Sequence, residues 1–116
     1  MGKNVSNYLQ VTVPVSRIID PTCESVKHRL DVATGIAGGV TRTNGLGEWL
    51  DDTGTVVQEN VLIYRWYFPT AQAEELRTAV RNVVDRLLEV GEECVLRERF
   101  YSWREGQQFK AELIYK

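Results

Sequence analysis

Along Tyr8–Val15, apolar Leu9, Val11, Val13 and Val15 alternate with Tyr8, Gln10, Thr12 and Pro14. A period of two predicts a strand, and Pro14, which lacks an N–H, belongs near its end or at an edge. Asp20-Pro21-Thr22 then predicts a helix start, with Val26, Leu30 and Ala33 turned inward and Gly35 as the stop. Gly38–Thr43 predicts a short strand. It is followed by Asn44-Gly45-Leu46-Gly47, by Glu48-Trp49-Leu50, and by a turn at Asp51-Asp52-Thr53-Gly54. The clearest strand is Glu59–Phe68. Val61, Ile63, Arg65 and Tyr67 face one way and Leu62, Tyr64, Trp66 and Phe68 the other, so both faces are largely apolar. Pro69-Thr70 caps a long helix from Ala71 to Val90, in which Leu76, Val80, Val83 and Leu87 recur at helical spacing before Gly91. Cys94–Trp103 reads as another strand. Glu105-Gly106-Gln107-Gln108 then turns the chain into a last one, Phe109–Tyr115.

The order strand, helix, strand, strand, helix, strand, with one strand added at the C-terminus, predicts an α+β fold of the ferredoxin-like, split βαβ type. Its antiparallel sheet carries two helices on one face. With 116 residues the chain makes a single domain, residues 1–116. Two helices cover one face of a sheet, so the other face of Glu59–Phe68 and of Cys94–Trp103 is left apolar and bare. Such a patch predicts self-association.

Charge narrows the function classes. Fourteen Lys and Arg against sixteen Asp and Glu give a net charge of -2, which argues against nucleic acid as a partner. No run approaches the ~20 apolar residues of a membrane span. The start Met-Gly-Lys-Asn-Val-Ser-Asn lacks the apolar core of a signal peptide, so the expectation is a cytoplasmic protein without a membrane partner. Cys23, Cys94 and His28 are too few and too scattered for a zinc site, and no metal or cofactor is expected. Both thiols read as small core hydrophobes, and His28, between Lys27 and Arg29, as solvent-facing. No nucleophile motif accompanies it.

Five of the nine glycines fall between Gly38 and Gly54. Either Gly45 and Gly47 belong to a loop that wraps a small polar or anionic ligand with backbone N–H groups, or the segment is two tight hairpin turns. The spacing matches neither a P-loop nor a dinucleotide fingerprint. Trp49 and Glu59 flank the Asp-Gly turn, and pairing of the hairpin brings them together. An indole face accepts an adenine ring or a sulfonium, and a carboxylate accepts hydrogen bonds from ribose hydroxyls; the plainer reading is a hairpin staple beside a solvated Glu. Arg97 and Arg99 share a face with Tyr101 and Trp103, placed for an anionic ligand or for charge pairs. Glu98, on the apolar side with Leu96 and Phe100, needs a partner, for which Arg65 is a candidate and a structural salt bridge the expectation. Glu59 is the one acid or base the pattern offers for catalysis.

Taken together, Gly38-Gly39-Val40-Thr41, Gly45-Leu46-Gly47-Glu48-Trp49, Asp52-Thr53-Gly54 and Glu59, followed by an apolar strand and a long helix, resemble the PII-like and CutA-like superfamily. The chain is also similar to phage-encoded S-adenosylmethionine lyases over roughly Tyr8–Trp103. Shared features are a glycine-containing hairpin, an aromatic about ten residues before a Glu, and a Cys-Val-Leu strand, here Cys94-Val95-Leu96. The resemblance implies a homotrimer that holds an adenosine-containing small molecule in clefts between subunits, as a sensor or a phage-type sequestering protein. Glu59 would be the carboxylate that contacts the ligand. The alternative it implies is a lyase that makes methylthioadenosine and homoserine lactone. Trp49 stands where those lyases have a tyrosine, which exchanges a phenolic hydroxyl for a stacking surface.

Overall fold

The computed structural model describes residues 5–116; Met1–Asn4, part of the start read above as leader-free, lie outside the described residues. The chain runs β1 (Asn7–Pro14), α1 (Ser16–Ile19), α2 (Glu24–Ala37), β2 (Thr41–Leu50), β3 (Val56–Phe68), α3 (Ala73–Glu89), β4 (Cys94–Trp103) and β5 (Gly106–Tyr115). The strands form one antiparallel sheet in the order β2-β3-β1-β4-β5. The split βαβ arrangement with an added edge strand therefore stands as the pattern predicted.

The two long helices cover a single face. Leu9, Val11 and Val13 from β1, Tyr64, Trp66 and Phe68 from β3, and Val95 from β4 meet Val26, Leu30 and Ala33 of α2. Leu76, Val80, Val83 and Leu87 of α3 complete that core. Burying a side chain of this size contributes about 1.5–3 kcal/mol, and these residues fix the sheet register. One polar tie crosses the layer: the Trp66 indole N–H donates to Thr34 Oγ1 at 3.0 Å. At the end of the sheet, buried Asn7 donates to the Phe68 carbonyl and accepts from the Ser102 N–H.

Several boundaries differ from the sequence reading for local reasons. β1 starts and ends one residue early, and Val15 opens the short helix α1, which the alternation concealed. Helix α2 continues through Gly35 to Ala37. Its stop is Gly38, whose φ of 88° is the left-handed cap that glycine tolerates without penalty. A 3-10 turn at Thr70–Gln72 precedes α3, which starts at Ala73 and ends at Glu89. The β4–β5 turn spans only Arg104 and Glu105, since Trp103 pairs with Gly106. The Trp103 ring lies 3.6 Å from where a Gly106 side chain would begin.

The largest correction concerns the glycine segment. Neither a ligand-wrapping loop nor a pair of turns exists at Asn44–Gly47. Thr41–Leu50 is one continuous strand paired with β3 from Thr41↔Arg65 to Leu50↔Val56, and neither Gly45 nor Gly47 has a positive φ. β3 starts at Val56, three residues before the expected Glu59, and so supplies a partner for all of β2. Because β1 pairs with β3 only over Val61–Phe68, the outer halves of β2 and β3 project past the sheet as a two-stranded arm. Asp51 locks its tip by accepting from Thr53 N at 2.9 Å and Thr55 N at 3.0 Å.

Candidate functional site

Strand alternation sends the odd residues of β3 and the even residues of β1 and β4 away from the helices. The bare face is therefore the Ile63 side of β3, and Trp66 lies beneath the helices with none of its surface exposed. Tyr67, Phe109, Leu113 and Tyr115 on this face are all more than 40% exposed, as is Trp49.

Gly45, Gly47, Trp49 and Glu59 share that open face. Gly47 pairs with Glu59 and Trp49 with Val57, so the indole and the carboxylate are diagonal neighbours with a glycine between them. A methyl on Gly45 would sit 3.3 Å from Val61 Cγ2, and one on Gly47 3.4 Å from Val61 Cγ1. The glycines thus admit the Val61 side chain and leave nothing across from Glu59. Burial raises the Glu59 carboxyl above its ordinary value; the negative charge of Glu92 adds to the rise and Arg17 opposes it. Arg17 and Glu92 are themselves paired at 2.8 Å, joining α1 to the turn before β4. The same burial, with Glu92 and Glu93 close by, raises the Cys94 thiol.

Arg97 and Arg99 lie on the other side of the sheet, opposite Val11 and Leu9 in the ladder, and are not brought together with Glu59 in one copy. They converge on Glu112 of β5, with Arg97 Nη2 at 3.0 Å and Arg99 Nε at 3.9 Å from Oε1; Lys110 reaches Oε2 at 3.5 Å. The Arg97 hydrogen bond holds the Glu112 carboxyl below its ordinary value. Three cations thus share one carboxylate.

Glu98 and Arg65 do not pair directly. Gln10 stands between them in the middle of the sheet: Arg65 Nε donates to Gln10 Oε1 at 2.7 Å, and Gln10 Nε2 donates to Glu98. The Arg65 guanidinium lies 4.1 Å above the Tyr8 ring, which stacks on Phe100 and meets Tyr67 edge-on. Sequence reasoning missed this row of Arg65, Gln10 and Glu98, because Gln10 reads as one polar member of an alternating strand. Its signal was that three adjacent strands each place a polar residue on a face otherwise rich in aromatics.

His28 is exposed, as expected. Among the described residues no group of three or more His, Cys, Asp or Glu is arranged to hold a metal ion, and no helix is long and apolar enough to cross a membrane.

No protein-family model matches the chain, and no curated protein matches it by sequence. Two solved structures match its shape. One is a phage SAM lyase in complex with S-methyl-5′-thioadenosine, with a TM-score of 0.63, 15% identity, and coverage of 100% of this chain and 94% of that one. The other is a phage SAM lyase in the apo state, at 0.58 and 17%, covering 100% and 96%. The fold is that of the phage SAM lyases. The similarity extends past Trp103, where the sequence resemblance stops, to include β5.

Proposed function

We propose that this chain binds S-adenosylmethionine in clefts between the copies of a homotrimer and cleaves it to methylthioadenosine and homoserine lactone. The observation that carries the reading is the end-to-end likeness to a phage SAM lyase structure that contains methylthioadenosine. The site is the open face beside the arm. Trp49 offers an adenine-stacking surface, and Gly47 leaves room in front of Glu59, whose carboxylate accepts from ribose hydroxyls or from the substrate's ammonium.

The reaction asks little of the protein. An oxygen of the substrate's own carboxylate attacks its γ-carbon, and the C–S bond breaks with its electron pair going to sulfur. Methylthioadenosine leaves neutral, and the lactone keeps the ammonium. No proton is transferred, so Glu59 holds the reactive conformer and needs no acid or base role. Folding the substrate so that carboxylate and γ-carbon meet supplies the rate.

Copies of the chain cover the open face and form the cleft walls. Arg97 and Arg99, on the opposite face of their own chain, belong to such a cleft only as a neighbour's contribution. Trp49 favours a second reading, binding without turnover by a sensor or sequestering protein, since an indole stacks but offers no phenolic hydroxyl.

Incubation with S-adenosylmethionine, followed by chromatography for methylthioadenosine, tests the proposal. Turnover that disappears in Glu59→Gln is the expected result. Thermal stabilisation by S-adenosylmethionine without product supports the second reading. Neither product nor stabilisation removes both.

A further inference from the structure

We propose that a notch at the β2 edge of the sheet, built around Arg65, is a binding site for a small oxyanion, a carboxylate or phosphate group. On this chain it lies six residues along β3 from Glu59; because Arg65 and Tyr67 share the open face, it rests on the covering copies of the proposed trimer leaving the β2 edge free.

The notch exists because β2 begins at Thr41, opposite Arg65, whereas β3 runs on to Phe68. β3 is left without a neighbour on that side beyond Arg65. Ala37, Gly38, Gly39, Val40 and Thr41 pass beside the gap and, with Arg65 and Tyr67, line an open notch of about 290 Å³. That is just under the range for small-molecule sites and suits a single small group.

Three features make the notch selective for anions. The first is a full charge without an ion pair. Among the described residues Arg65 makes no salt bridge, the carboxylate closest to it in the hydrogen-bond row is Glu98 beyond Gln10, and the opposing charge in the wall is only the partial one of the α2 C-terminus at Ala37 and Gly38. The second is a fixed guanidinium. It rests on the Tyr8 ring, its Nε donates to Gln10, and its Nη1 donates to Tyr67 Oη at 3.2 Å. No hydrogen bond engages Nη2 among the described residues, so donors of an already ordered fork remain for a ligand; such forks suit carboxylate and phosphate. The third is backbone. Gly38 N–H closes the helix on Thr34, but the N–H groups of Gly39 and Val40 find no backbone acceptor among the described residues. Free N–H groups beside a cation make an anion cradle. A side chain added at Gly38 or Gly39 would meet nothing within 4 Å, so the wall is open to an incoming group.

Amide NMR of the intact protein tests this, with inorganic phosphate and succinate as separate probes at constant ionic strength. Saturable shifts of the Gly39 and Val40 amides are expected with at least one probe. The probe that binds more tightly tells phosphate from carboxylate as the preferred group. Arg65→Gln is expected to weaken binding by about tenfold or more, and Arg65→Lys, which keeps the charge but loses the fork, to fall between. If Arg65→Gln does not fold, Tyr67→Phe decides, because that ring is partly exposed and the change removes only the hydroxyl that orients the guanidinium; a loss of about twofold to fivefold is expected. Shifts that grow linearly with both probes overturn the proposal. So does equal affinity in the wild type, Arg65→Lys and Tyr67→Phe.

Discussion

Glu59 faces Gly47 directly across the β2–β3 ladder, a half-buried carboxylate with no side chain opposite it. Burial and the charge of Glu92 raise its carboxyl, so the native fold favours the protonated form more than the unfolded chain does. The linked stability is present below the unfolded carboxylate value and is lost as pH rises through the raised native one. Glu59→Gln is therefore expected to equal or slightly exceed the wild type in Tm at neutral pH, and to differ less in acid. Ligand binding has the opposite slope, because it needs the carboxylate. Binding of S-adenosylmethionine should strengthen with pH through that raised midpoint. In Glu59→Gln it should be about 10- to 100-fold weaker and flat with pH, as for a lost charged hydrogen bond. Calorimetric titration across pH 4–8 reads both.

Replacing Gly47 tests whether the space in front of Glu59 is used. β-branched residues suit a strand, and the Gly47 backbone is in no conformation that only glycine adopts. Its methyl groups would crowd Val61 Cγ1, since a single carbon there is already at 3.4 Å. Gly47→Val is expected to keep the sheet, by circular dichroism, within ~1 kcal/mol of wild-type stability. It should abolish thermal stabilisation by S-adenosylmethionine. Undiminished stabilisation by the ligand would place the site elsewhere on the open face.

Gln10 is the hinge of the polar row, and it is 7% exposed. Gln10→Leu removes an acceptor from Arg65 and a donor to Glu98 together, leaving two charges half-buried on an apolar face. A loss of about 2–3 kcal/mol in urea unfolding is expected. In Gln10→Leu/Glu98→Leu the buried carboxylate is gone as well, so much of that loss should return. A purely additive double mutant would mean the row is not coupled.

Where a residue's environment is set by its own strand, sequence and structure agree. Leu9, Val11 and Val13 of β1 share one face, as do Tyr64, Trp66 and Phe68 of β3, as alternation groups them, and Cys94–Trp103 has the predicted ends; alternation alone does not say whether the helices cover the Trp66 or the Ile63 side of β3. Disagreement appears where a distant partner decides. Gly45 and Gly47 read locally as turn residues, but β3 extends to Val56 and pulls them into its ladder. The Arg65–Gln10–Glu98 row needs three strands set side by side, and no local window contains it. Likewise, Arg97 and Arg99 were correctly placed on one face by their spacing. Which face that was depended on Val11 and Leu9, their neighbours in β1.

The open face supplies the remaining prediction. Phe109, Leu113 and Tyr115 recur every second or fourth residue on the edge strand β5, and they are 56, 56 and 66% exposed. They share the open face with Leu96 of neighbouring β4 and, farther across the sheet, Ile63 of β3. An edge strand with this pattern attracts other copies unless something covers it. Sedimentation of the wild type at micromolar concentration is expected to give about three times the 13.3 kDa chain mass. Leu113→Glu puts a charge on that surface without touching the helix-covered core. It should shift the protein towards monomer while leaving its helix content intact. Because the proposed clefts lie between copies, the same variant should lose stabilisation by S-adenosylmethionine even though Trp49 and Glu59 are unchanged. A wild-type monomer that still binds the ligand would show that one copy holds the whole site.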